Sequence, residues 1–302
     1  MLIDRHNTND TKDTINIRGV NHYYEWIRQP SKESKPVMVF IHGWGGSCRY
    51  WRTTAQAISD RFDCLLYDMR GFGQTRENEE ANIGYELVDY AEDLLLLLKA
   101  FNLEKIYLNA HSMGASIAAV FLNLAPEKII KAILTCNGIF TYNKLAFSAF
   151  HKASSYVVKL RYDWYLKVPF ADKMFMARFL NKPISREMSI AFLEDFLLAD
   201  DSAALNTIYT SVSKNAVEIM PKEFSKIKVP TLLVSGEKDQ IIPAKMARQA
   251  SLLNPEYLSY LEIPNTGHFP MLEAEAIYLK QIQLFLSLAT KKAKETEVGS
   301  QL

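Results

Sequence analysis

Short apolar runs alternate with stretches of helical period along most of the chain. P-V-M-V-F-I-H (36–42), F-D-C-L-L-Y-D (62–68), K-I-Y-L-N-A (105–110), I-K-A-I-L-T-C (130–136), T-L-L-V-S-G (231–236) and L-S-Y-L-E-I (258–263) read as strands. Most are continuously apolar, as strands covered on both faces must be. Residues 14–28, T-I-N-I-R-G-V-N-H-Y-Y-E-W-I-R, predict an antiparallel hairpin ahead of them. Helical stretches at 49–60, 83–101, 113–124, 243–253 and 271–290 separate the runs. Strand-helix repetition of this kind specifies an α/β fold with a mostly parallel central sheet flanked by helices.

The alternation breaks once. From Ile139 to Ser225 the pattern holds only amphipathic helical stretches, after which K-I-K-V-P-T-L-L-V resumes the sheet. These 87 residues predict an all-helical lid at 139–225, inserted into a core made of 1–138 and 226–302. The insertion is rich in aromatics, fifteen from Phe140 to Phe224. Its charge is uneven: Lys144 to Arg186 carries nine Lys or Arg against Asp163 and Asp172, whereas Glu187 to Asp201 carries five acids and no base. Big side chains can serve the core of a thin cap or an apolar substrate. The basic aromatic stretch suggests a peripheral contact with an anionic membrane.

Composition narrows the class. The chain has 302 residues, 48% hydrophobic and 23% charged, with a formal net charge of +1, so nothing global draws it to nucleic acid. Cys48, Cys64 and Cys136 have no C-x-x-C spacing and no histidine cluster has metal-ligand spacing, so buried free thiols and no metal or cofactor are expected. The polar start M-L-I-D-R-H-N-T-N-D shows no apolar leader, and the longest aliphatic run, Leu94 to Leu98, falls far short of a membrane span. A cytoplasmic protein with a frayed charged tail after residue 290 is the expectation.

Chemistry gathers where strands end. After K-I-Y-L-N-A the chain turns sharply through H-S-M-G, and small neighbours, Ala110 and Gly114, leave Ser112 at the apex. A strained strand-to-helix turn holds a hydroxyl away from the backbone, which suits a nucleophile more than a helix cap. T-L-L-V-S-G is followed by E-K-D-Q, offering Asp239 with Glu237 as a rival, and L-S-Y-L-E-I by P-N-T-G-H-F-P, offering His268. Serine needs a base to remove its proton, and the base needs an acid to fix its tautomer. The glycine-rich turn H-G-W-G-G-S after the first long strand can present N–H groups to a developing oxyanion, so the N–H groups of Trp44 and Met113 are the expected oxyanion hole. Trp44, His111, Phe140 and Phe269 are candidates for lining the substrate pocket. Asp68, Arg70, His42 and His111 are expected to brace loops more than to do chemistry.

These motifs together resemble the α/β-hydrolases of the esterase, lipase and haloperoxidase-like kind over residues 13 to 290. H-G-W-G-G is similar to the family's oxyanion loop, Y-D-M-R-G-F-G (67–73) to its turn after the fourth strand, and A-H-S-M-G to its G-x-S-x-G elbow, with Ala110 in place of the usual first glycine. G-E-K-D-Q-I-I-P and N-T-G-H-F-P resemble its acid and histidine loops. The position after the sixth strand, where some members place the acid, carries Asn137.

The resemblance implies an α/β-hydrolase fold and a serine hydrolase acting through Ser112, His268 and Asp239. The expected substrate is a hydrophobic carboxylic ester, lipid-like or isoprenoid, with a chlorophyll-type phytyl ester as one subclass. The same triad also serves thioesterases, C–C bond hydrolases and cofactor-free peroxidases, and the fold serves non-catalytic ligand receptors. Oligomeric state is not legible.

Overall fold

The computed structural model describes residues 11–31, 33–140 and 144–287. The polar start, the charged tail and residues 288–290 of the expected last helix lie outside the described residues. Eight strands form one sheet: β1 (Thr11–Ile17), β2 (Val20–Ile27), β3 (Val37–Ile41), β4 (Asp63–Tyr67), β5 (Ile106–His111), β6 (Ile129–Thr135), β7 (Thr231–Gly236) and β8 (Leu258–Ile263). Their order is β1-β2-β4-β3-β5-β6-β7-β8. β1 pairs antiparallel with β2, and β2 with β4; every pairing from β4 to β8 is parallel.

Alternating side chains of each central strand enter opposite cores. On β3, Val39 and Ile41 face one core while Met38 and Phe40 face the other. The first core is closed by α2 (Leu87–Ala100) and α3 (Met113–Leu124), the second by α1 (Arg52–Ile58) and the carboxyl-terminal helices. Strands covered on both faces explain why their sequences read as continuous apolar runs.

Between β6 and β7 lie α4 (Lys144–Lys159), α5 (Ala171–Met176), α6 (Arg186–Leu198), α7 (Asp201–Ser211) and α8 (Lys214–Lys226), with no strand among the described residues of this insertion. α9 (Ala244–Ser251) separates β7 from β8, and α10 (Pro270–Glu273) and α11 (Glu275–Ser287) follow.

Three helical stretches differ from the periodicity, and in the first, expected over 49–60, Cys48–Trp51 form a 3-10 turn ahead of α1. α2 starts at Leu87 rather than 83, because Glu86 and Asp89 form a reciprocal capping box and the Gly84 carbonyl is taken by Arg70. The stretch 271–290 is two helices, broken at Ala274, because Glu273 turns inward to accept backbone N–H groups.

Candidate active site

Because β3, β5, β7 and β8 run parallel, their carboxyl ends deliver four loops to one edge of the sheet, the edge where α/β folds place ligands. The β5–α3 turn is as sharp as the sequence requires. Ser112 has φ 53° and ψ −121°, and its side chain makes no capping bond to α3. Such a conformation is costly for a non-glycine residue and persists only where its surroundings hold it. Two things hold it: the Ser112 N–H donates to Thr135 O at 2.9 Å, and α3 begins hard against β3. A Cβ on Gly114 would lie 2.3 Å from the His42 carbonyl oxygen, so only glycine permits that approach.

Freed from capping, Ser112 Oγ lies 3.0 Å from His268 Nε2. His268 Nδ1 lies 2.7 Å from Asp239 Oδ2. The other Asp239 oxygen accepts the N–H groups of Ile241 at 2.8 Å and Ile242 at 3.0 Å. Burial pushes the Asp239 carboxyl up, but the facing imidazole and these N–H groups outweigh it and hold it below the usual aspartate range. An ionised acid so placed fixes the tautomer with Nδ1 protonated, leaving Nε2 to accept from the serine. Glu237 points away, accepting from Asn265 N at 2.8 Å and Lys238 Nζ at 2.9 Å.

Next to the serine, the backbone N–H groups of Met113 and Trp44 have no hydrogen-bond partner among the described residues. Met113 is the first residue of α3, so its N–H has no acceptor within the helix. The Trp44 loop is braced from beneath by His42, whose Nδ1 lies 2.8 Å from Gly43 O and whose Nε2 accepts the Met69 N–H at 2.9 Å. Burial lowers the His42 pKa to about 4, so the ring is neutral, with Nδ1 carrying the proton.

A family model of the alpha/beta hydrolase fold matches residues 36–275. The chain belongs to the α/β-hydrolase fold family. Among curated proteins, this hydrolase is 22% identical over 275 residues to the uncharacterized hydrolase YugF of Bacillus subtilis, covering 89% of this chain and 96% of the relative. Among solved structures it superposes on the esterase EaEST of Exiguobacterium antarcticum with a TM-score of 0.76 at 20% identity, covering 92% of this chain and all (100%) of the other. The bromoperoxidase of Bacillus anthracis gives a TM-score of 0.76 at 21% identity, covering 93% and 100%.

Two residues expected to line the hydrolase's pocket are enclosed instead. His111 is buried with both ring nitrogens engaged: the Tyr50 hydroxyl lies 2.9 Å from Nδ1, and His268 O lies 2.7 Å from Nε2. The Gly43 N–H in turn donates to the Tyr50 hydroxyl at 2.6 Å. With Tyr50 donating to Nδ1 and Nε2–H donating to His268 O, one relay joins the oxyanion loop, the serine turn and the histidine loop. Burial holds the His111 pKa well below the usual histidine value, which keeps the ring neutral, and the His268 carbonyl selects the tautomer. Phe269 is also buried, with Tyr50, His111 and Phe192 rings at 5.6, 4.7 and 4.5 Å. It is core beneath the histidine loop.

Trp44 is half-buried, its indole N–H donating to Ala204 O at 2.9 Å and its ring 5.8 Å from Phe196, so its side chain meets α6 and α7 beside the site. Phe140 is half-buried in the loop after β6, ahead of residues 141–143, which lie outside the described residues. Asn137 is no acid substitute: its Oδ1 accepts the Gly138 N–H at 2.7 Å and lies 3.2 Å from Ser116 Oγ.

Asp68 and Arg70 tie turns together. Asp68 accepts from Cys48 N at 2.7 Å and Gln74 N at 2.8 Å, and burial raises its pKa to about 6. Arg70 donates to Gly84 O at 2.6 Å and Asp93 Oδ2 at 3.3 Å.

Three further residues shape the site without a sequence motif to announce them. Glu273 is the first; its carboxylate accepts the N–H groups of Gly267 and Phe269, each at 3.1 Å, and of Asn181 at 2.7 Å and Lys182 at 2.9 Å. Asp195 of α6 accepts from Ser47 Oγ at 2.6 Å and pairs with Arg49, pinning the insertion to the oxyanion loop. Tyr50 is the third, at the centre of the relay. An acid five residues past a histidine, or a tyrosine three past a serine, carries no periodic signal.

Proposed function

We propose that this α/β-hydrolase is a carboxylic ester hydrolase for hydrophobic esters. The observation that carries the reading is the unbroken contact series Ser112 Oγ to His268 Nε2, 3.0 Å, and His268 Nδ1 to Asp239 Oδ2, 2.7 Å, on a serine that caps nothing.

Ser112 Oγ attacks the ester carbonyl as His268 takes its proton, while Asp239 stabilises the imidazolium. The N–H groups of Met113 and Trp44 receive the oxyanion. His268 then returns the proton to the leaving alcohol, and a water activated by the same ring releases the acid.

Helices α4–α8 act as the lid, and Trp44, Phe196 and the aromatics around them favour an apolar acyl or alcohol group. The fold shared with an esterase supports ester chemistry, and the fold shared with a bromoperoxidase keeps peracid formation as the second reading. Both use the same serine.

A fluorophosphonate probe tests the nucleophile: it should label the purified protein once, at Ser112, and leave Ser112→Ala unlabelled. Nitrophenyl esters of increasing acyl length, followed by long-chain and phytyl alcohol esters, then read the substrate class. Rising kcat/KM with chain length is expected; a protein that labels but prefers acetate would overturn the hydrophobic assignment.

A further inference from the structure

Eighteen large hydrophobic side chains are exposed among the described residues, and ten of them fall between Leu145 and Met174. Scattered exposed hydrophobics are ordinary, but a concentration in one short stretch marks an interaction surface. The arrangement is directional. On α4, Ser154 and Val158 turn inward while Tyr156 and Val157 face solvent, as does Leu160 just past its end. The chain then runs through a 3-10 turn, Asp163–Lys167, carrying Tyr162, Trp164 and Leu166 outward, and reaches Val168 and Phe170 before α5.

Phe170 is the most telling. It has φ 63°, a left-handed conformation unfavourable for an aromatic residue, and its side chain is 65% exposed. The backbone takes on strain while the ring gains no burial within the chain.

Charge identifies what meets this face. Lys152, Lys159, Lys167 and Lys173 are exposed among these hydrophobics, and none forms an ion pair with a carboxylate among the described residues. Lys173 Nζ lies 5.4 Å from the Phe170 ring centre, and Tyr162 stacks on Trp164 at 6.3 Å. Asp172 is buried and Arg161 is already paired with Asp201, which leaves the four lysines against one exposed acid, Asp163, so the net charge of the face is positive. A notch of about 430 Å³, lined by His151, Lys152, Ser155, Tyr156, Lys159 and Tyr209, opens on the same helix. Two ammonium groups and two kinds of hydroxyl around it match a phosphate headgroup.

Tryptophan, tyrosine and phenylalanine interleaved with lysine is the composition that sits at a lipid–water boundary, ring in the acyl region and ammonium on the headgroups. No helix among the described residues is long and apolar enough to cross a membrane, so such contact is peripheral. We propose that the face formed by residues 145–174 docks on an anionic lipid membrane, with a lipid phosphate seated in the α4 notch. Docking supplies a hydrophobic ester from the bilayer, and in that respect it extends the ester-hydrolase reading, but it engages none of the catalytic residues.

The test is co-sedimentation of the full chain with vesicles of phosphatidylcholine alone or with added phosphatidylserine, at low and high salt. Ser112→Ala is run alongside, so that binding is read independently of turnover. The unmodified protein and Ser112→Ala should bind the anionic vesicles equally, bind the neutral ones weakly, and lose affinity with salt. Reversing Lys152, Lys159, Lys167 or Lys173 to Glu should cost at least about fivefold per site on anionic vesicles. The double variant Trp164→Ser, Phe170→Ser should weaken binding to both vesicle types while keeping the salt dependence, with Tm unchanged. Equal binding to neutral and anionic vesicles overturns the proposal, as does no binding to either. If ultracentrifugation instead shows a dimer that the double variant abolishes, the face is a self-association surface and the membrane assignment fails.

Discussion

Glu273 holds the loop of His268 by its backbone and leaves the imidazole free: one carboxylate oxygen takes the Phe269 N–H, and both oxygens share the Gly267 N–H on the other side of the histidine. The second oxygen also takes the N–H groups of Asn181 and Lys182 in the insertion. It is a positioning residue. Glu273→Gln turns one acceptor into a donor aimed at donors, so kcat should fall about 10- to 100-fold with KM little changed, the scale set by a small misplacement of a reacting group. Glu273→Asp should recover part of the loss. Active-site titration with the fluorophosphonate separates the effects: if the titrated enzyme turns over at the wild-type rate, Glu273 serves folding only.

The three residues in contact at the serine should act as a unit. Ser112→Ala and His268→Ala are each expected to remove about 10⁶ of kcat, and Asp239→Asn about 10⁴ by misorienting the ring. Glu237→Gln, which changes a side chain remote from the imidazole, should be near wild type; a large loss there would transfer the role of acid to Glu237.

The relay through Tyr50 predicts that a single hydroxyl matters to two loops. Tyr50→Phe leaves the Gly43 N–H and the His111 Nδ1 without their partner, at a cost of roughly 1–3 kcal/mol for each buried group left unsatisfied. Urea unfolding should show that loss, and kcat should fall more than KM rises, since Gly43 precedes the Trp44 oxyanion donor.

Acid should destabilise the fold through His42. Its pKa is depressed from 6.5 to about 4 in the native state, so below pH 6.5 the unfolded chain binds a proton that the native ring refuses. Stability is therefore lost as pH falls from 6.5 toward 4, by about 2 kcal/mol at pH 5 from this one residue. His42→Gln, measured by urea unfolding at pH 7.5 and pH 5.0, should show a smaller acid loss by about that amount. An unchanged difference would mean that His42 is protonated in the native protein.

Much of this was legible because it is local or periodic. The strands of the central sheet announce themselves by continuous apolarity, and the serine turn by Gly114, which the close approach of α3 to β3 demands. The order serine, acid, histidine on strand-end loops follows from the same alternation. What escaped depends on contacts across long separations. His111 reads as a loop brace beside a nucleophile, but only the fold shows that what it joins is Tyr50 and the histidine loop. Phe269 follows His268 and invites a pocket role, but its ring packs into the core against Tyr50, His111 and Phe192. Glu273 looks like a surface acid in a helix until its four backbone partners, two of them in the histidine loop and two far away in the insertion, are in place.

Those partners have a mechanical consequence. Phe179 O accepts the His268 N–H at 2.7 Å, Glu273 binds Asn181 and Lys182, Asp195 binds Ser47, and Trp44 binds Ala204. Along this seam hydrogen bonds tie the insertion to the loops of His268 and Trp44. Prising the seam apart would loosen the loops of His268 and Trp44 in the same motion, so under the ester-hydrolase reading a molecule parted there would lose its base and an oxyanion donor together.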